Sequence, residues 1–133
     1  MRRLLHLPMN IDFFDKTHRD HAEDCVLLLS GFDFSGAITF CSIIESLIHN
    51  AENENCVGTN KQGKLMKLDF CLGNDFGIRR LRENHFKCEL TLVKYHEMLV
   101  LALPYTKNER LGFQYLYDLS NPIEFILSPS GIW

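Results

Sequence analysis

The hydrophobic period changes once along this chain, and that change limits the folds open to it. Between Ser35 and His49 the apolar residues Ala37, Phe40, Cys41, Ile44, Leu47 and Ile48 recur every three or four positions. On a helix they make one stripe wide enough to face a core. Asp33 or Ser35 can cap its start, and His49 meets the negative pole of the helix dipole near its end. From residue 64 the period becomes two. Met66, Leu68, Phe70 and Leu72 alternate with Lys67 and Asp69, and Phe86, Cys88, Leu90 and Leu92 alternate with Lys87, Glu89 and Thr91. This is the pattern of strands that are wet on one face.

The remaining segments are read around these. Ile11 to Phe14 suits a short strand or a packed arm, residues 15 to 24 are almost wholly polar, and Cys25 to Leu29 suits a buried strand closed by Ser30-Gly31. Residues 50 to 60 read as a loop, and 73 to 84 as a long, partly basic connection. Met98 to Leu103 is apolar on both faces, which places it inside the sheet as the partner of the 86 to 92 strand in a hairpin ended by Pro104. Phe113, Tyr115, Tyr117 and Leu119 predict a further strand, and residues 121 to 127 either a last strand or a short helix. The expected fold class is α+β, an antiparallel meander sheet of about four to six strands packed against one main helix over about residues 35–49. A length of 133 residues without a linker or repeat predicts a single domain spanning 1–133.

Several function classes are excluded by composition and spacing. The five cysteines, Cys25, Cys41, Cys56, Cys71 and Cys88, are odd in number, widely spaced and never in a CxxC pair, against a disulfide framework or a zinc knuckle. They indicate a reducing, cytoplasmic setting. The opening Met1-Arg2-Arg3-Leu4-Leu5 is broken by His6 and Pro8 before a signal-peptide core can form. The longest unbroken aliphatic stretch, Val26 to Leu29, falls far short of the roughly 20 residues that cross a bilayer. The glycines never approach a phosphate-loop spacing, and no Ser or Cys sits in a nucleophile elbow. Arg79, Arg80, Arg82 and Lys87 form one small basic group near Phe76 and Phe86, but a pI near 6.0 speaks against direct nucleic-acid binding. His18 and His21, with Asp20, Glu23, Asp24 and Cys25 nearby, are the densest set of potential metal ligands, yet HxxH alone does not define a site. No metal or cofactor is expected.

What packing leaves unexplained is charge. Asp12, Asp15, Asp20, Glu23, Asp24, Asp33, Glu45, Glu52 and Glu54 face only Lys16 and Arg19 between residues 12 and 54. An imbalance of that size can steer a basic protein toward this part of the chain.

A motif-free domain with an acidic stretch before an antiparallel sheet resembles the immunity proteins of bacterial contact-dependent growth inhibition and related polymorphic toxin systems. The resemblance implies a non-catalytic, protein-binding inhibitor that neutralises a cognate toxin, such as a basic nuclease domain, by covering its active or substrate-binding surface. It makes the nine carboxylates the expected partner-binding residues, with Phe13, Phe14 or Tyr95 as buried anchors. The competing expectation is a small cytosolic enzyme or ligand-binding domain with a pocket between helix and sheet, using His18 and His21.

Overall fold

Asp33 opens the main helix by capping it. Its Oδ1 accepts hydrogen bonds from the Ser35 hydroxyl at 2.7 Å and the Gly36 amide at 3.2 Å, which satisfies a donor that the first helical turn would otherwise leave open. The helix ends at Ala51, whose left-handed φ of 51° returns its amide to the Leu47 carbonyl. The computed structural model describes residues 5–15, 25–107, 112–120 and 123–133. Its elements are β1 (Leu5–Phe14), β2 (Cys25–Ser30), α1 (Phe34–Asn50), β3 (Glu54–Thr59), β4 (Leu65–Leu72), β5 (Gly77–Arg82), β6 (His85–Leu90), α2 (Leu92–Ala102), a 3-10 turn at Leu103–Thr106, β7 (Gln114–Tyr115) and β8 (Ile123–Ser128).

The strands form one eight-stranded sheet in the order β5-β6-β4-β3-β1-β2-β8-β7. This overturns the expected antiparallel meander of four to six strands on a single helix. The sheet is mixed, with β1/β3, β2/β8 and β4/β6 parallel and β1/β2, β3/β4, β5/β6 and β7/β8 antiparallel. Parallel partners need long crossovers, and two helices supply two of them. α1 carries the chain from β2 over β1 to β3, and α2 carries it from β6 to the opposite edge at β7. The first crossing is tight. A side chain on Gly36 would meet the Phe32 Cβ at 2.7 Å and the Pro8 carbonyl at 3.2 Å, so glycine lets α1 lie close upon β1.

Three further expectations change for identifiable reasons. The 98 to 103 run lies in helix α2 and its turn, because Tyr95, Met98 and Ala102 fall on one buried helical face and Thr91 caps the start by accepting from the Lys94 amide. An apolar run without polar alternation suits either element, and the hydroxyl of Tyr95, within 2.8 and 2.9 Å of the Cys71 and Cys88 carbonyls, fixes the helix on the sheet. The 50 to 60 loop contains β3, a central strand whose Gly58 removes the alternation signal; a Cβ there would sit 2.8 Å from the Ile11 side chain. The 73 to 84 connection contains β5, an edge strand whose Arg79, Arg80 and Arg82 hide its period. Of the run 113 to 119 only Gln114–Tyr115 is strand, and the tail resolves as strand β8.

The sheet is curled, and its concave face holds the core. Phe70 of β4 and Phe125 of β8 lie four strands apart, yet their ring centres are 6.3 Å apart. Phe13 and Phe86, on β1 and β6, approach to 5.1 Å. Phe40 of α1 and Tyr95 of α2 meet Phe70 edge-on at 6.2 and 6.4 Å. The Tyr117 hydroxyl bridges the two ends of the sheet, accepting from the Ile78 amide of β5 at 3.1 Å and donating to the Ile123 carbonyl of β8. On the convex face Val26, Leu28 and Ile126 form a small second cluster under Phe14 and Trp133.

Truncating Phe70 to Ala is expected to cost about 3–5 kcal/mol, because its ring spans the concavity. Leu81→Ala, on a half-exposed side chain, is expected to stay within about 0.5 kcal/mol. Urea unfolding of the two variants checks the contrast, and equal losses would contradict a core built across the curl.

Candidate partner-binding surface

The groups that might do chemistry are taken up by packing. All five cysteines are free thiols, and four are buried. Burial, with the Glu45 carboxylate adding to it, pushes the Cys41 thiol up to about 11, and burial pushes Cys56 up to about 12. Cys88 and Cys71 move upward for the same leading reason. A thiol held protonated is a poor nucleophile. His85 Nε2 lies 2.6 Å from Asp69 Oδ2 on the convex face. Cys71 stands two residues from Asp69 on the same face of β4, roughly 7 Å along the strand, and burial pushes its thiol up. No group of three metal-ligating side chains occurs among the described residues. His18, His21, Asp20, Glu23 and Asp24 lie outside them.

The described carboxylates of the acidic stretch do not form one surface. Asp12 is 8% exposed on the convex face, where its Oδ1 accepts from the Lys61 amide at 3.0 Å. Asp15 follows the end of β1. Asp33 caps α1, while Glu52 and Glu54 lie beyond its other end, about 25 Å away along a 17-residue helix. Glu45 stands exposed between them on the solvent side of α1. The expected aromatic anchors are also spoken for. Tyr95 is in the core, Phe13 packs on Phe86 beneath the Arg80 guanidinium, and Phe14 packs on Trp133.

A different acidic site is assembled by the second crossover. α2 and the chain at 114–119 wall a cleft of about 450 Å³ beside β8. Leu101, Leu116 and Leu119 line it with apolar surface, and among the described residues its lining also carries the carboxylates of Glu97, Asp118 and Glu124 and the amine of Lys94. Lys94 Nζ is paired with Glu97 at 3.2 Å. Tyr117 turns its hydroxyl inward to the backbone bridge, and burial pushes its pKa far above the ordinary phenol value, so the hydroxyl stays protonated and bonded. At the rim Phe113 and Tyr115 stack edge to face at 5.6 Å while remaining 42% and 40% exposed. Exposed aromatics held rigid by each other are the side chains that protein interfaces most often use as anchors.

The sequence read Phe113 and Tyr115 as strand alternation and gave no sign that Glu97, Asp118 and Glu124 converge. Only the crossing of α2 to the far edge brings them together. No protein-family model matches this chain, and no curated protein or solved structure is significantly similar to it. Among the described residues no helix is long and apolar enough to cross a membrane.

Two measurements test these assignments. A thiol reagent added to native protein should modify at most Cys25, which alone of the five is partly exposed, and all five after denaturation; fast reaction of several thiols would contradict the packing. Asp33→Ala should lower the thermal midpoint at neutral pH. The hydrogen bonds from Ser35 and Gly36 hold this carboxyl below its ordinary value, so its stabilisation is present above the unfolded carboxylate range and is lost as pH falls through the depressed folded value. The gap between variant and parent should close on acidification, and a gap that persists unchanged would rule out the cap as its origin.

Proposed function

We propose that the chain is a non-catalytic protein-binding inhibitor of the immunity-protein kind, acting in the cytoplasm on a cognate toxin with a basic surface. It binds through the cleft between α2 and residues 113–119. One observation carries this reading: an exposed aromatic pair stands beside a cleft whose described lining carries the carboxylates of Glu97, Asp118 and Glu124 and the amine of Lys94. Such a surface suits an arginine- or lysine-bearing partner, whose methylene stems lie on leucine while their charged heads reach the rim. The buried thiols and the dispersal of the described carboxylates of the acidic stretch support binding at this place over chemistry elsewhere.

The 450 Å³ cleft favours a second reading, since sites for small molecules have similar volumes. In that case the domain binds a small cationic ligand, and a thermal-shift screen with such compounds separates the two.

Co-expression with the product of the gene adjacent to that of this chain should yield a complex of defined stoichiometry by light scattering at low salt. Tyr115→Ala combined with Asp118→Lys should weaken it about tenfold or more. Absence of any complex would remove the proposal, and full affinity in the double variant would remove this site.

A further inference from the structure

A second hollow, of about 240 Å³, lies where β1 ends, between the turn joining β3 to β4 and the turn joining β5 to β6. It shares no described lining residue with the cleft beside α2. Asp12 and Phe13 point to opposite faces of β1, and both border the hollow because it opens around the end of that strand.

Four charged side chains border it, Asp12 and Glu83 of one sign and Lys64 and Arg80 of the other. Among the described residues none of the four is in an ion pair. Opposite charges around one small space attract each other, so they stay apart only where something holds them. Two of them are held. Asp12 is buried, and the Lys61 amide fixes its Oδ1 at 3.0 Å. The Arg80 guanidinium lies over the Phe13 ring at 4.6 Å and the Phe86 ring at 5.7 Å, and its Nε and Nη2 donate to the Glu83 carbonyl at 3.3 and 2.9 Å.

Each of these two groups keeps unused bonding capacity. Oδ2 of Asp12 is buried and meets no donor, a condition that folded proteins relieve with a ligand, an ion or a water. Rotation about the last bond of an aspartate is soft, so a donor in the hollow can be met by either oxygen. Arg80 retains N–H donors beyond the two that the Glu83 carbonyl takes, and no carboxylate among the described residues answers its charge. One molecule relieves both groups if it carries a charged donor for Asp12 and a carboxylate for Arg80. The balanced lining favours a molecule without net charge, and a hollow below the roughly 300 Å³ at which drug-sized sites begin favours a small one. We infer that this hollow is a binding site for a free α-amino acid, with the ammonium group on Asp12, the carboxylate on Arg80 and the side chain against Phe13 and Met66.

Titration of the full chain with free L-amino acids, one at a time, followed by amide chemical shifts, tests the inference. At least one should bind with a Kd of about 1 mM or tighter and move the Lys61 amide, which donates to Asp12. Its N-acetyl and carboxamide derivatives, each lacking one charge, should bind about tenfold more weakly or worse. Asp12→Asn keeps an oxygen for the Lys61 amide, and Arg80→Gln alters an exposed side chain; each should weaken the free amino acid about tenfold. Circular dichroism confirms that both variants are folded. If no free amino acid binds at about 10 mM, the hollow holds water only and the inference is overturned. It is also overturned if both derivatives bind as well as the free molecule, or if binding survives both substitutions unchanged.

Discussion

Phe70 is held between three aromatic rings that come from α1, α2 and the far side of the sheet. That single contact set requires the sheet to curl. A flat eight-stranded sheet would separate β4 from β8 by four strand spacings, roughly 19 Å, and leave both faces in need of cover. Curling lets one concave face be filled by α1 and by the inward side chains of the strands themselves. The Tyr117 hydroxyl then links β5 to β8 where the two ends approach. Because that link comes from the segment after α2, the curl also fixes where α2 must cross and hence where the cleft lies.

The sequence made α1, β4 and β6 legible because each buries mainly one face at one clean period, while β2, buried on both faces, showed only as a short apolar run closed by Ser30-Gly31. Where burial is two-sided or absent the period fails. Met98 to Leu103 shows no alternation, and its helix is decided by Thr91 at one end and by Tyr95 reaching the sheet carbonyls. Gly58 has no side chain to signal that β3 is central, and β5 is charged because an edge strand benefits from charge. Strand order was not legible at all. Parallel pairing such as β2 with β8 joins residues about a hundred positions apart, and no local pattern encodes it.

The acidic stretch shows the same limit for function. Nine carboxylates between Asp12 and Glu54 are a property of composition, and the fold gives the described ones different tasks: Asp12 accepts a backbone amide within the convex face, Asp33 caps a helix, and Glu52 lies past the other end of that helix. The cleft draws its carboxylates from 97, 118 and 124, in the half of the chain whose overall balance is basic. Charge counted along a chain and charge gathered on a surface are separate quantities, and partners respond to the second.

An inhibitor that works by occupation needs a rigid surface and no reactive group, and the thiols raised by burial and the paired aromatics of this chain fit that requirement. The most direct test of the account is amide hydrogen exchange on the chain alone and bound to the proposed cognate toxin. Binding at the cleft predicts slower exchange across residues 113–119 and Lys94 to Leu101, with residues 33–35 and 52–54 unchanged. Slowing confined to residues 33–35 and 52–54, with the cleft unaffected, would contradict it.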